Sequence, residues 1–338
     1  PSTKMTGESK DNIIIVTGMH RSGTSLTANL LNSAGVDMGT EYLPPKFDNP
    51  RGYFEDTEFV SFHQEAMAHR SMDIFENIDM SVVLNSQEIQ TAKNIIKQRE
   101  KNSLWGWKDP RTVLFLDAWN QVLPSARFLF IYRHPVEVFF SLINRASDPV
   151  LLQKPLKGLS AWEIYNQKIL AFIQAHEERC TLCHIHGILA NGPEFLSLIH
   201  RRLSINDEPD ISGIYAPELL RHFPIPEYLD LFLKEKFPNV ARIYTLLEEI
   251  AHLQQPIKTP SLNEDMVKFL TYTCEAAHNF HRQLITYFQT SPDSSIGTSG
   301  RLSQFFASLG IVTSKSTLLN ALRQPYKKLK SFVMKPKG

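Results

Sequence analysis

The chain has 338 residues, with 36 Lys and Arg against 35 Asp and Glu, a net charge of +1. This balance excludes a protein built to coat nucleic acid, which needs a basic surplus on one face. Hydrophobic residues at 42% and charged residues at 21% exclude intrinsic disorder and allow a sizeable core. Three cysteines (Cys180, Cys183, Cys274) are too few for a disulfide framework. A reducing, cytoplasmic location is therefore expected. No stretch approaches the roughly 18 apolar residues of a membrane span, and the polar segment before Ile13 has no signal-peptide core.

In chain order, the β-branched run Ile13–Val16 predicts a strand over Ile13–Thr17 that is covered on both faces. A loop follows, Gly18–Gly23, and then a helix from Thr24 to Ala34 that stops at Gly35. Val36–Gly52 reads as a long loop. Helices are expected over Asp56–His69 and Ser86–Glu100, and a strand over Leu104–Trp107. Lys108-Asp109-Pro110-Arg111 leads into a helix over Thr112–Val122. The run RFLFIY, Arg127–Tyr132, is a strand that passes through Arg133-His134-Pro135 into a helix over Val136–Arg145. Further helices are expected over Leu159–Glu178, Glu194–Leu203, Asn239–Leu253 and Asn263–Gln289, with a fourth strand over Cys180–His186. The pattern predicts a three-layer α/β/α fold with a central parallel sheet and a helix-rich C-terminal half. Residues 1–11 read as a disordered lead, 12–290 as one domain, and 291–338 as an extension with a basic tail. That tail, Arg323–Gly338, has six cations and no acid, a pattern open to peripheral contact with an anionic membrane.

Two segments have the chemistry of anion sites. Gly18-Met19-His20-Arg21-Ser22-Gly23-Thr24-Ser25 lies between a strand and a helix, where loop N–H groups and the helix N-terminus face a phosphate. It departs from the triphosphate loop GxxxxGK[ST], because Thr24 stands at the Lys position and the cation lies inside the loop at Arg21. This suits one phosphate or a phosphosulfate held without metal. The second segment pairs Arg133 with Ser141 eight residues later, about two helical turns along. A forked guanidinium and a helical hydroxyl can hold a second phosphate.

These segments resemble the 5′-phosphosulfate loop and the 3′-phosphate site of the sulfotransferase family. That family uses 3′-phosphoadenosine 5′-phosphosulfate (PAPS) and releases 3′,5′-adenosine bisphosphate (PAP). GMHRSGTS resembles the loop P-[KR]-[ST]-G-T-[ST], with His20 at the proline position. FIYRHPVEVFFSLINR resembles the R-x7-S element, and WGWKDPRT the lysine-bearing strand end. GMHRSGTS with NPRGYFED is similar to a bacterial branch of the family. The likeness covers about residues 12–205. It implies sulfuryl transfer from PAPS to a hydroxyl or amine of a small-molecule or glycan acceptor. By resemblance, His20, Arg21, Ser22, Gly23, Thr24 and Ser25 hold the 5′-phosphate, Arg133 and Ser141 the 3′-phosphate, and Arg21 and Lys108 supply catalytic cations. One departure is His186-Gly187-Ile188-Leu189, which stands where the family often carries Tyr-Glu-Asp-Leu.

A general base must take the acceptor's proton. Glu55, which ends NPRGYFE, is favoured. Glu41, twenty residues past Arg21, is the runner-up, and its spacing resembles that of the tyrosylprotein sulfotransferases. His63 and Asp109 rank third. Arg111 and Tyr53 are expected to grip substrate, and the aromatics Trp162 and Tyr165 are read either as stacking surface or as core. Cys180, Cys183, His184 and His186 carry zinc-type ligands, but on a strand they point to opposite faces, so no metal site is expected. Two other functions compete: a P-loop kinase or triphosphatase using ATP and Mg²⁺, and an inactive nucleotide-binding module.

Overall fold

In the computed structural model the described residues are 12–39, 41–43, 54–99, 102–145, 148–205, 225, 227–256, 273, 279, 282 and 283. The chain opens with β1 (Asn12–Thr17), α1 (Thr24–Ser33), α2 (Thr57–Ala68), α3 (Ser86–Arg99) and β2 (Leu104–Lys108). A 3-10 turn, Pro110–Phe115, precedes α4 (Leu116–Val122), β3 (Arg127–Tyr132), α5 (Pro135–Arg145), α6 (Pro149–Gln153) and α7 (Lys157–Ala175). Then come β4 (Cys180–His184), α8 (Ile185–Ala190), α9 (Gly192–Leu203), α10 (Glu227–Lys236) and α11 (Pro238–Ile250). The chain separates into two compact units. The first consists of Pro1–Val138, Leu159–His222 and Tyr228–Lys258; the second of Phe139–Gly158, Phe223–Glu227 and Thr259–Gly338.

In the first unit the described strands form one parallel sheet in the order β2-β1-β3-β4. The β1–α1 connection leads away toward β2, whereas β2 returns across β1 to β3. The order therefore reverses between β1 and β3, and it is outside the carboxyl ends at such a reversal that open α/β sheets bind ligands. Period 2 along β1 sorts the faces. Ile14 and Val16 join Leu129, Ile131 and Cys183 under α1, α8 and α9. Ile13 and Ile15 are in register with Trp105 and Trp107 on the other face. There Phe59 of α2 stacks on Trp107 at 4.2 Å, and Trp119 of α4 lies 4.7 Å from Trp107. Phe172 of α7 meets Phe128 edge-on at 4.8 Å. Two helical layers thus cover the sheet, as the unbroken apolar strands require. The segment after α11 extends the sheet edge: the His184 N–H donates to the Leu253 carbonyl at 2.7 Å.

In the second unit, α6 is capped by Asp148, whose carboxylate accepts from the Val150 N–H at 2.8 Å. Leu142 and Leu151 pack around Gly158, and Asn279 donates to Asn144 at 2.7 Å.

Three expectations need correction. Helix over Thr112–Val122 is 3-10 as far as Phe115, because Pro110 enters behind an Asp109 cap and the turn is tight. The strand over Cys180–His186 stops at His184, whose Nδ1 accepts the His186 N–H at 3.1 Å and caps α8. The sequence, with breakers at Pro209, Pro217, Pro224 and Pro226, predicts no element over 227–236, where α10 forms. Tyr53, the helix Asn263–Gln289 and the basic tail lie outside the described residues, apart from positions 273, 279, 282 and 283.

Candidate active site

The Gly18–Gly23 loop leaves the carboxyl end of β1 at this reversal point. A Cβ on Gly18 would lie 2.0 Å from the Ile131 carbonyl oxygen, so β3 passes too close for a side chain. Gly23 has φ 96° and its Cβ would meet Ile185 at 2.4 Å. Only glycine takes that left-handed cap freely. Arg21 is also left-handed, at φ 69°, a strained conformation for a residue with a Cβ. Gly23 gives α1 no side-chain cap, and the first turn of α1 has no acid. Its N–H groups therefore leave a positive, anion-receptive end. Ser22 is fully buried, and its Oγ has no partner among the described residues. Thr24 is buried, while Ser25 and His20 are half-buried.

Arg133 leaves the end of β3 buried, and one guanidinium NH donates to the Arg21 carbonyl at 3.3 Å. Its Nε lies 3.1 Å from Glu137, which also accepts from His186 Nε2 at 2.8 Å. The Trp162 indole donates to the Arg133 carbonyl at 3.2 Å. Ser141, 8% exposed, sits further along α5 in the second unit.

Beside the loop, β2 delivers Lys108, in register with Val16. Its ammonium meets Glu55 Oε1 at 2.6 Å, with the two side chains 1% and 8% exposed. Burial pushes the Lys108 pKa down, and the Glu55 carboxylate opposes that shift. Arg111 reaches Asp109 Oδ1 at 2.8 Å and Glu55 Oε2 at 3.5 Å. Burial lowers the Arg111 pKa, but Asp109 and Glu55 outweigh it and the net shift is upward. Glu55 is presented by a short antiparallel bridge, in which the Leu43 N–H donates to the Glu55 carbonyl and the Thr57 N–H to that of Glu41. The Glu41 side chain is exposed, whereas that of Glu55 turns inward.

His63 and Asp109 lie buried beside this group and bond to each other. The Trp119 indole N–H, which can only donate, reaches His63 Nε2 at 2.9 Å. The His63 proton is therefore on Nδ1, 2.8 Å from Asp109 Oδ2. Asp109 Oδ1 also accepts the Arg111 backbone N–H at 2.9 Å. The Asp109 carboxyl is held well below its usual range: burial raises it, but Arg111 and His63 together prevail. Sequence spacing shows none of this, since His63 and Trp119 are 56 positions apart.

The remaining cysteine–histidine cluster is structural in geometry. Burial pushes the Cys180 thiol up to about 12 and the Cys183 thiol further. His184 caps α8 and is held well below its ordinary pKa by burial. Among the described residues, no group of three or more His, Cys, Asp or Glu is arranged to hold a metal ion. No described helix is long and apolar enough to cross a membrane.

A glycine-bracketed loop before an uncapped helix, at the reversal point of a parallel sheet and with buried cations on both sides, defines an anion-receptive α/β fold. A family model described as the sulfotransferase family matches residues 13–186, just over half of the chain. The chain belongs to the sulfotransferase family, and is a transferase of sulfuryl groups. Similar solved structures include sulfotransferase STF9 from Mycobacterium avium, at 14% identity and TM-score 0.44, covering 84% of this chain and 77% of that one. The sulfotransferase domain of the curacin biosynthetic pathway is 15% identical, with TM-score 0.40 and coverage of 89% and 98%. That of the Synechococcus PCC 7002 olefin synthase is 16% identical, with TM-score 0.39 and coverage of 83% and 95%. No curated protein matches the chain.

Proposed function

We propose that the protein transfers a sulfuryl group from PAPS to a hydroxyl or amine of a glycan or small metabolite, with Glu55 as proton acceptor. The observation that carries this reading is the Arg133 bond to the Arg21 carbonyl, which ties the loop to the end of β3. The residues fit a donor with two phosphates. The uncapped α1 terminus and the buried, unpartnered Ser22 Oγ suit the 5′ end, with Thr24 and Ser25 behind them. Arg133, fixed by Glu137, suits the 3′-phosphate. Thr24 in place of the triphosphate lysine disfavours ATP and Mg²⁺.

PAPS, when bound, supplies an activated sulfuryl group on a phosphate. The chain contributes fixed charge and a proton acceptor. Lys108 and Arg21 offset the negative charge of the donor. Glu55 pairs with Lys108 at 2.6 Å and opposes the downward push of burial on the Lys108 pKa. Glu55, the carboxylate paired with Lys108, would take the acceptor's proton. Arg111, held back by Asp109, stands on the other Glu55 oxygen, where it can orient the acceptor. Glu41, exposed on the far strand of the bridge, is the lesser candidate.

The test is sulfate transfer from labelled PAPS to a panel of glycans and hydroxylated metabolites. Transfer that requires Arg21 and Glu55 and needs no added metal supports the reading. Transfer that survives in Arg21→Ala overturns the role given to Arg21.

A further inference from the structure

Tyr165 is a tyrosine where packing alone would accept phenylalanine. It is fully buried on α7, and its hydroxyl has no hydrogen-bond partner among the described residues. A buried hydroxyl without a partner costs free energy, and native structures seldom keep one without a reason. Its surroundings supply the reason. One turn earlier, Trp162 donates to the Arg133 carbonyl at the end of β3. The Tyr165 ring meets His20 of the Gly18–Gly23 loop edge-on at 6.0 Å. Its phenol is within electrostatic reach of Arg111 and Asp109 at the end of β2, and of Asp73. This face of α7 therefore follows the carboxyl edge of the sheet, from β3 past the β1 loop to β2.

We propose that the Tyr165 hydroxyl is a ligand contact, donating its proton to an oxygen of the donor's sulfuryl group beside Arg111. The proposal rests on PAPS being the donor. It adds a neutral hydrogen-bond donor to the cations of the site. Burial pushes the phenol well above its ordinary pKa, so it keeps its proton and can only donate toward an anion. Tyr165 thus reads the sulfuryl end of the donor rather than its phosphates, and distinguishes the loaded donor from the spent one.

The experiment compares PAPS and PAP binding by calorimetry, with thermal melting, in the wild type and in Tyr165→Phe. Removing an unpartnered hydroxyl should leave the free protein at least as stable. PAP affinity should stay within about twofold, while PAPS affinity falls about tenfold, the scale of one hydrogen bond to a charged group. Tyr165→Met, a second apolar filling of the same space, should repeat the pattern. Equal PAPS affinity in wild type and variants overturns the proposal. So does a parallel loss of PAPS and PAP binding together with a lower melting temperature, which marks a structural hydroxyl. A wild type that binds neither nucleotide overturns the donor reading itself, and the wild-type titration alone reveals this.

Discussion

Lys108 and Glu55 form a 2.6 Å ion pair across 53 positions of sequence, and both are buried. Taking either charge out of water is costly unless it is paired, and Lys108 is the nearer of the two cations on Glu55, with Arg111 at 3.5 Å on the other oxygen. The pair is thus both a stability element and the proposed proton-handling centre. The two roles separate under mutation. Lys108→Met alone should destabilise the protein by about 3 kcal/mol, because Glu55 is left charged and buried. The double variant Lys108→Met with Glu55→Gln should recover most of that loss without recovering transfer. Urea unfolding of the three proteins checks the first statement, and PAPS turnover the second. A double variant no more stable than Lys108→Met would contradict the pairing.

Glu55→Gln keeps shape and removes basicity. It should reduce transfer by about 10²- to 10⁴-fold while PAP affinity changes little. Glu41→Gln, on an exposed side chain, should stay within about threefold of wild type, since solvated surface groups contribute little. Steady-state rates on the same acceptor decide between the two carboxylates. The reverse ranking would transfer the base role to Glu41.

The glycine positions are set by space rather than by chemistry. Gly18→Ala drives a methyl against the Ile131 carbonyl, a backbone atom that cannot rotate away. A loss of about 3 kcal/mol or failure to fold is expected. Gly23→Ala adds a left-handed backbone to a clash with the Ile185 side chain. It should cost about 2 kcal/mol and weaken PAP as the α1 terminus shifts. Thermal melting with and without PAP measures both.

Acid stability has a separate source. Arg70 holds Glu88 through two 2.7 Å contacts, lowering its pKa from the ordinary 4.5 to about 2 against the opposing effect of burial. A carboxyl with a depressed folded pKa adds stability above its unfolded value. That stability is lost as pH falls from about 4.5 toward 2. The contribution should be about 1–2 kcal/mol after solvent screening. Unfolding at pH 6 and pH 3 should show a smaller acid loss in Glu88→Gln than in wild type. Equal losses would contradict the assignment.

What could be read from the sequence was what the chain determines locally. The strand, loop and helix from Ile13 to Ala34 follow from a β-branched run, two glycines and a helical period within about twenty residues. RFLFIY ends where expected because Pro135 opens a helix. Lys108 and Glu55 were each visible as candidates, but their contact was not. The His63 tautomer depends on Trp119, and the placing of Tyr165 on His20, so both required tertiary structure. The short α8 has no start signal in the sequence because its cap is the His184 ring nitrogen, not one of the usual Ser, Thr, Asp or Asn oxygens. Its apolar run also continues that of β4 without a change of period. α10 follows a stretch with proline breakers, where local pattern has least force.

The most direct measurement is calorimetric titration with PAP in the absence of metal, with ATP plus Mg²⁺ as the control, in wild type and Arg133→Ala. Sulfuryl transfer from PAPS predicts that PAP binds without metal, that Arg133→Ala weakens it about tenfold or more, and that ATP with Mg²⁺ binds poorly. Binding of ATP with Mg²⁺ in place of PAP, unaffected by Arg133→Ala, would contradict it.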